Sequence, residues 1–346
     1  MIETVTADPA AWLSDVLGTQ VRSVDVQPLG AGTAFLSRLT RLVVDHDEPE
    51  LPHRFILKTP TDDPGGRQVG MLLNAWKREA LFYRHLAPTL RGGVPAAYHV
   101  SDDGDLLLLA DLHPWAPGDQ VAGASATQAR SAIDRLAELH APWWGRPRTD
   151  ASAWVPGIDQ PRVTGLQDAI AAALPRFEAR YGDRLPTAPT EWLREFVPRL
   201  SDLLRRFAAA PLTIAHADYR VENMLFSPDG TQVAVIDWQT AMYTLGATDV
   251  AFFVATNIDV DERRAIEAGL LARYIEGLHR HGVDRAQTAE VADQYRAALL
   301  WWMAMLANNL STIEPRDERG RQLFDTMLTR LWSAAEDHEI DSFLRL

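Results

Sequence analysis

The alternation of apolar and polar positions divides the chain into a strand-rich first part and a mainly helical remainder. Apolar runs typical of strands occur at Val21–Val26, Leu36–Val44, Arg54–Lys58 and Leu106–Ala110. Helical periodicity predicts one helix near 72–87 and, further along, helices at about 125–141, 163–182, 189–207, 259–281, 286–310 and 318–336. Clusters of proline and glycine predict loops at Pro60–Gly66, Gly92–Pro95, Pro114–Gly118 and Pro142–Pro147.

The segment Thr213–Asp249 contains the most informative polar pattern in the chain. Asp218 and Asn223 precede one short apolar run, and Asp237 follows a second. The turn residues Ser227–Gly230 lie between the two runs and predict a hairpin. Because a hairpin brings the start of its first strand and the end of its second strand together, we expect Asp218, Asn223 and Asp237 to converge.

These three residue types match the requirements of phosphoryl transfer. Moving the γ-phosphoryl group of ATP to a hydroxyl requires oxygen ligands that hold Mg²⁺ against the phosphates, and a carboxylate that accepts the proton of the hydroxyl. Asn223 and Asp237 fit the first task, and Asp218 fits the second. His216, two residues before Asp218, is expected to support the loop. The alternative is that all three are ordinary turn residues, since Asp and Asn favour loops.

The pattern H-x-D-x-x-x-x-N, followed by an apolar strand and I-D-W, resembles the aminoglycoside phosphotransferase and choline kinase superfamily. The segments Y-R-V-E-N-M-L-F and V-I-D-W-Q-T are most similar to the ecdysteroid-kinase-like branch of this superfamily. The resemblance implies an α+β, protein-kinase-like bilobal fold, with Asp218 as catalytic base and Asn223 and Asp237 on Mg²⁺. It also implies that Asp249 is the buried aspartate that braces the catalytic loop. Trp238-Gln239 stands where protein kinases have Phe-Gly, so their activation switch is not implied.

The resemblance extends upstream to a glycine pair and to an apolar strand ending in lysine. Gly30 and Gly32 lie between two predicted strands, where glycine lets backbone amides approach phosphate oxygens, although a plain hairpin turn explains them equally well. Lys58 ends the strand pattern, and Glu79 follows inside a helical pattern. They look like the kinase lysine and its glutamate partner, which place the α and β phosphates. The alternatives are a strand-end lysine and a solvated helix glutamate.

The segment after Leu106 resembles the hinge of the same family. Backbone groups of Leu109, Asp111 and Leu112 are implied to hydrogen-bond adenine. The implied domains are a nucleotide-binding N-lobe over 1–108, a hinge over 109–113 and a helical C-lobe over 114–346. The C-lobe carries the catalytic loop at 213–240 and the acceptor site.

The amino-acid composition limits the kinds of partner and the kinds of site that the protein can have. With 34 basic and 47 acidic residues the net charge is −13, which argues against a nucleic-acid partner because such partners are bound by neutralising phosphates. The chain has no cysteine, which excludes disulfides, thiolate zinc sites and a nucleophilic thiol. No apolar run is long enough to span a bilayer and no basic leader precedes an apolar core, so we expect a cytoplasmic protein without a membrane partner.

Two functional hypotheses remain. The first is a kinase that uses ATP and Mg²⁺ to phosphorylate a hydroxyl of a small molecule, such as an aminoglycoside, amino alcohol, sugar, steroid-like alcohol or macrolide. The second is a catalytically silent nucleotide- or ligand-binding protein on the same fold. Retention of Lys58, Asp218, Asn223 and Asp237 favours the first. The adjacent pair Trp301-Trp302 is expected to pack in the core, with substrate stacking as the alternative.

Overall fold

The structure is a computed structural model that describes residues 8–29, 36–158, 160, 165–184, 187–315 and 317–340. The chain divides into two compact units. The first comprises Met1–Trp115, Thr149–Trp154 and Ala234–Thr240, and the second comprises Ala116–Arg148, Val155–Val233 and Ala241–Leu346.

The first unit is built around a five-stranded antiparallel sheet with strand order β1-β2-β3-β5-β4. Its strands are β1 (Ser23–Leu29), β2 (Ser37–Asp45), β3 (Arg54–Pro60), β4 (Ala97–Val100) and β5 (Leu107–Ala110). Its helices are α1 (Pro9–Leu17), α2 (Pro64–Leu73) and α3 (Ala75–Leu81), the last continued by a π-helical turn at Phe82–Leu86. Trp12 and Leu13 of α1 pack with Leu42, Phe55 and Leu108 of the sheet in one buried cluster. β3 is the central strand, and backbone hydrogen bonds to β2 and β5 hold both of its edges.

The helices that follow β3 differ from the sequence prediction. The helix predicted near 72–87 is interrupted at Asn74, whose φ of 52° ends α2 in the left-handed region before α3 begins. The expected loop at Pro60–Gly66 instead contains the start of α2 at Pro64. Its Asp63 side chain caps the helix by accepting a backbone N–H at 2.8 Å. An N-cap aspartate followed by proline at the first helical position is a strong start signal and here overrides the two glycines.

The second unit is mainly helical. Its elements before the hairpin are β6 (Ala116–Pro117), α4 (Ala126–His140), α5 (Leu166–Tyr181), α6 (Thr187–Phe196), α7 (Leu200–Ala209) and β7 (Thr213–Ala215). The hairpin has strands β8 (Met224–Phe226) and β9 (Val233–Val235), of which β9 passes into the first unit after Val233. Then come β10 (Met242–Thr244), α8 (Gly246–Asn257), α9 (Val260–Arg280), α10 (Val291–Thr312) and α11 (Glu318–Asp337). β6 pairs antiparallel with β8, and β7 pairs antiparallel with β10.

Local signals explain where several of these helices begin and end. Ser125 and Gln128 form a capping box at the start of α4, in which each side chain bonds the other's backbone N–H. The helix predicted over 189–207 is two helices, α6 and α7, separated by a 3₁₀ turn at Val197–Arg199. Pro198 lies in that turn, and its missing N–H and its ring prevent an uninterrupted helix.

Helix α8 forms the centre of the second unit, and all of its residues are buried. It packs against α10, where Trp302 stacks on Phe252 with ring centroids 4.1 Å apart and donates its indole N–H to the Thr248 carbonyl at 2.7 Å. Trp301 and Trp302 are both buried, as expected for residues that pack in the core. Among the described residues, no helix combines the length and the apolar character needed to cross a membrane.

A polar cluster joins α9, α10 and the end of α11. The fully buried Arg263 forms ion pairs with Glu267 and Asp337. Tyr295 donates a hydrogen bond to Glu267, and His338 Nε2 lies 3.0 Å from the same carboxylate. Burial raises the pKa of Glu267, but His338, Tyr295 and Arg263 outweigh it and hold the pKa below its usual value.

Candidate active site

Lys58 is the centre of a charged cluster in the first unit. It lies on β3, and its Nζ is 2.7 Å from Glu79 Oε2 and 2.6 Å from Asp237 Oδ1. Glu79 belongs to α3 and is buried, and Asp237 follows β9. The Gln239 side-chain amide donates to Glu79 Oε2 at 3.1 Å and to the Ser37 hydroxyl oxygen at 2.8 Å. The structure therefore brings Lys58 together with both carboxylates.

The cluster contains one cation and two carboxylates in a largely buried place. Burial alone would lower the pKa of Lys58, but Asp237 and Glu79 outweigh it and raise the pKa above its usual value. Burial raises the pKa of Glu79, and the nearby Asp237 adds to this while Lys58 opposes it. Lys58 is therefore kept in its charged form, with a carboxylate on each of two neighbouring segments beside it.

Asp237 is held in an uncommon backbone conformation. Its φ is 67°, in the left-handed region that costs free energy for a residue with a side chain. The next residue, Trp238, is buried and stacks on Phe82 with ring centroids 3.9 Å apart and planes 7° from parallel. This stacking fixes the chain after β9, and the Asp237 side chain remains 34% exposed. Its carboxylate is thus both positioned and reachable.

The loop after β7 in the second unit carries His216 and Asp218 and is anchored by Asp249 of α8. The Asp249 carboxylate, which is fully buried, accepts the backbone N–H of His216 at 2.6 Å and of Ala217 at 2.8 Å. Ala217 has a φ of 61°, so the two bonds secure a sharp bend just before Asp218. His216 is buried, and its Nδ1 accepts the Asp218 N–H at 3.3 Å.

His140, at the end of α4, completes this support. Its Nε2 lies 3.3 Å from Asp249 Oδ2 and its Nδ1 lies 2.7 Å from the Tyr274 hydroxyl. All three side chains are buried. Burial raises the pKa of Tyr274 well above its usual value, so the hydroxyl stays protonated. His140 and Tyr274 therefore help to orient the carboxylate that anchors the loop.

Asp218 and Asn223 are in direct contact. The Asn223 amide nitrogen donates to Asp218 Oδ2 at 2.8 Å and to the Asp218 carbonyl at 3.0 Å. The amide oxygen of Asn223 therefore points away from Asp218, where it can serve as a ligand. Asn223 is buried, whereas the Asp218 side chain is 31% exposed. The Asp218 carboxylate is thus oriented by a buried amide and remains accessible to a reactant.

The other residues predicted to contact the nucleotide are Gly30, Gly32, Leu109, Asp111 and Leu112. Gly30 and Gly32 lie outside the described residues. Leu109 lies within β5, in register with Ile56 and Ala97. The Asp111 N–H is donated to the Arg54 carbonyl at 3.2 Å, and the Leu112 carbonyl accepts from Trp115 at 2.9 Å. The contact of this segment with adenine therefore stays a prediction, which concerns the Asp111 carbonyl and the Leu112 N–H rather than the groups bonded here.

Sequence reasoning missed three residues that shape these clusters. Gln239 fixes Glu79, Tyr274 supports His140, and Arg220 lies beside Asp218. The sequence gives a partial signal for Gln239, because Trp238-Gln239 stands where protein kinases have Phe-Gly. Tyr274 is one position of a long helix, and no sequence signal marks it because its partner His140 is distant along the chain.

Each unit contains an oxygen donor of the kind that magnesium prefers in proteins. Among the described residues, no group of three or more His, Cys, Asp or Glu side chains could hold a metal ion. Mg²⁺ keeps waters and binds through one or two protein ligands plus substrate phosphates, so it does not need such a group. The Asp237 carboxylate in the first unit is such a donor, and so is the Asn223 amide oxygen in the second.

Comparison with known proteins identifies the family. The profile of the phosphotransferase enzyme family (APH) matches residues 25–290 of the 346-residue chain. The chain belongs to this family. A search of curated protein sequences finds no match.

Solved structures show the same fold as this phosphotransferase family member. A choline kinase from Cryptosporidium parvum has a TM-score of 0.59 at 12% identity, covering 93% of this chain and 94% of that one. An ethanolamine kinase from Plasmodium vivax has 0.53 at 14%, covering 91% and 82%. The gentamicin complex of APH(2")-IIa has 0.52 at 16%, covering 93% and 94%. The predicted α+β, protein-kinase-like fold is therefore confirmed.

Proposed function

We propose that this phosphotransferase family member uses ATP and Mg²⁺ to phosphorylate a hydroxyl group of a small molecule. The observation that carries the proposal is the Asp218 carboxylate, which Asn223 orients and leaves partly exposed on a loop anchored by Asp249. A positioned, accessible carboxylate is what hydroxyl activation requires.

Each polar residue has a distinct role in this proposal. Asp218 accepts the proton of the acceptor hydroxyl as the hydroxyl oxygen bonds to the γ-phosphorus. The bond from that phosphorus to the bridging oxygen breaks, and ADP leaves. Lys58, oriented by Glu79, binds phosphate oxygens. Asn223 and Asp237 are magnesium ligands, and the bound ion supplies charge neutralisation of the phosphates.

The charged side chains around Lys58 support the roles proposed for Lys58 and Asp237. Two carboxylates, Glu79 and Asp237, lie beside Lys58, and they would attract a divalent cation. Nucleotide phosphates would in turn offer Lys58 a new anionic partner. We therefore expect ATP and Mg²⁺ to bind together, each compensating the charge that the other introduces.

We also propose that the chain falls in the ecdysteroid-kinase-like branch of the superfamily. The sequence Tyr219–Phe226 followed by Val235–Thr240 supports this placement. The acceptor panel should accordingly include sterol-like alcohols beside amino alcohols, aminoglycosides, sugars, nucleosides and macrolides.

Phosphate transfer from γ-labelled ATP to this panel tests the proposal. We expect a labelled product with the wild type and none with Asp218→Ala, which should still bind ATP in calorimetry. Asp103→Ala, at an exposed turn position of the first unit, is the matched control and should behave as the wild type. Asp237→Ala should weaken magnesium-dependent ATP binding. Absence of ATP binding by the wild type would refute the kinase, and full turnover by Asp218→Ala would refute the base.

A further inference from the structure

An alternating series of charged side chains begins at Asp218 and runs across the second unit. Arg220 Nε lies 3.3 Å from Asp218 Oδ2, and Arg220 Nη1 donates to Glu222 Oε2 at 2.8 Å. Arg319 at the start of α11 reaches Glu222 Oε1 at 3.1 Å and Asp119 Oδ1 at 3.0 Å. Each arginine therefore lies between two carboxylates.

The inner part of this series is better shielded from solvent than the outer part. The side chains of Arg220 and Glu222 are 25% exposed, whereas those of Arg319 and Asp119 are 53% and 51% exposed. Exposed ion pairs contribute only about 0–1 kcal/mol to stability. The series is thus a weak source of stability, and its effect on the orientation of Asp218 is the more important consequence.

The backbone around Arg220 is fixed independently of its side chain. The Arg220 N–H donates to the Asp218 carbonyl at 3.0 Å, and the Arg220 carbonyl accepts from the Asn223 N–H at 2.8 Å. The Val221 N–H donates to the buried Asn257 side chain at 3.0 Å. Replacing the Arg220 side chain should therefore leave the course of the loop unchanged.

Two groups act on the same oxygen of Asp218. Asn223 donates its amide N–H to Oδ2 at 2.8 Å, and Arg220 places a positive charge 3.3 Å from it. Together these two contacts restrict rotation of the carboxylate about its last side-chain bond. Glu222 holds the other end of the guanidinium, so Arg220 cannot turn away without losing a charge-assisted hydrogen bond.

We infer that Arg220 is a positioning residue that holds the Asp218 carboxylate in the orientation in which it receives the acceptor hydroxyl. Glu222 acts only through Arg220, by keeping the guanidinium in place. The inference rests on the proposed function of Asp218 as the base. Its consequence is that loss of Arg220 lowers kcat while KM for ATP stays close to the wild-type value.

The test compares Arg220→Gln, Arg220→Lys, Glu222→Gln and the double variant Arg220→Gln/Glu222→Gln with the wild type. Arg205→Gln is the matched control, because Arg205 forms an ion pair with Asp202 on α7 and is 72% exposed. ADP formation with the best acceptor of the panel gives kcat and KM, and thermal unfolding reports folding.

Arg220→Gln should lower kcat about 10- to 100-fold, the cost of a misplaced reactive group, with an unchanged melting temperature. Arg220→Lys should regain part of kcat, since an ammonium keeps the charge but not the two-sided contact. Glu222→Gln should cause a smaller loss, and the double variant should be no worse than Arg220→Gln. Arg205→Gln should match the wild type.

The outcomes separate this inference from the proposed function. No ADP formation by the wild type overturns both. An active wild type whose Arg220→Gln variant keeps kcat within about twofold overturns the positioning role alone, because misplacement would cost far more. A loss of kcat that is the same in Arg220→Gln and Arg220→Lys and accompanies a lower melting temperature indicates a structural role and also overturns it.

Discussion

Asp249→Ala should destabilise the second unit strongly because of the two backbone groups that it leaves behind. The Asp249 carboxylate accepts N–H groups from His216 and Ala217 at 2.6 and 2.8 Å, and no part of it is exposed. A buried donor without a partner costs about 1–3 kcal/mol, so two of them cost about 2–6 kcal/mol. The expected loss is therefore about 4 kcal/mol, which corresponds to a melting temperature about 8–16 °C lower in a domain of this size.

Asp249→Asn provides a graded version of the same perturbation. The amide oxygen can accept one of the two N–H groups, while the amide nitrogen faces the other as a second donor. One bond is thus lost, and we expect a cost of about 2 kcal/mol, intermediate between alanine and the wild type.

Urea unfolding and thermal unfolding of the three proteins measure these costs, with the exposed Asp103→Asn as control. Hydrogen exchange at His216 and Ala217 should accelerate in Asp249→Ala, because their bonds to the carboxylate are gone. If both Asp249 variants melted within about 2 °C of the wild type, the loop would not depend on this carboxylate and the reasoning would be wrong.

Three further perturbations test other parts of the structure. Lys58→Met should reduce the affinity for ATP in calorimetry and, by leaving a buried carboxylate without its cation, lower the free energy of unfolding by about 3–5 kcal/mol. The depressed pKa of Glu267 means that its stabilisation is present above the unfolded-state pKa and lost as pH falls through the folded-state pKa. Thermal unfolding should therefore show Glu267→Gln less stable than the wild type near pH ~7, with a smaller difference near pH ~3. Trp302→Phe removes the indole bond to the Thr248 carbonyl and should cost about 1–2 kcal/mol in urea unfolding.

Local patterns in the sequence were sufficient for most of the elements and for the polar residues of the candidate site. The predicted strand Arg54–Lys58 is the start of β3, and the turn Ser227–Gly230 joins β8 and β9 as expected. The helix predicted at 318–336 is α11 within one residue at its end. These features depend on neighbours two to four positions apart, so hydrophobic periodicity and turn residues report them directly.

Helix α8 shows where such patterns stop being informative. Because all of its residues are buried, it has no polar face and therefore no helical period to detect. The break at Asn74 was not predicted either. The left-handed conformation of one residue depends on how the two helices beside it pack, which the local pattern does not report.

The sequence by itself determined the fold class, the strand that carries Lys58 and the loop residues Asp218 and Asn223. The resemblance already paired Lys58 with Glu79, but only the tertiary structure decided that Asp237, 179 positions away, contacts Lys58 as well. It likewise decided that Arg220 lies between Asp218 and Glu222. The physical reason is that periodicity and turns arise from local backbone geometry, whereas a charge pair depends on packing between segments that are distant along the chain.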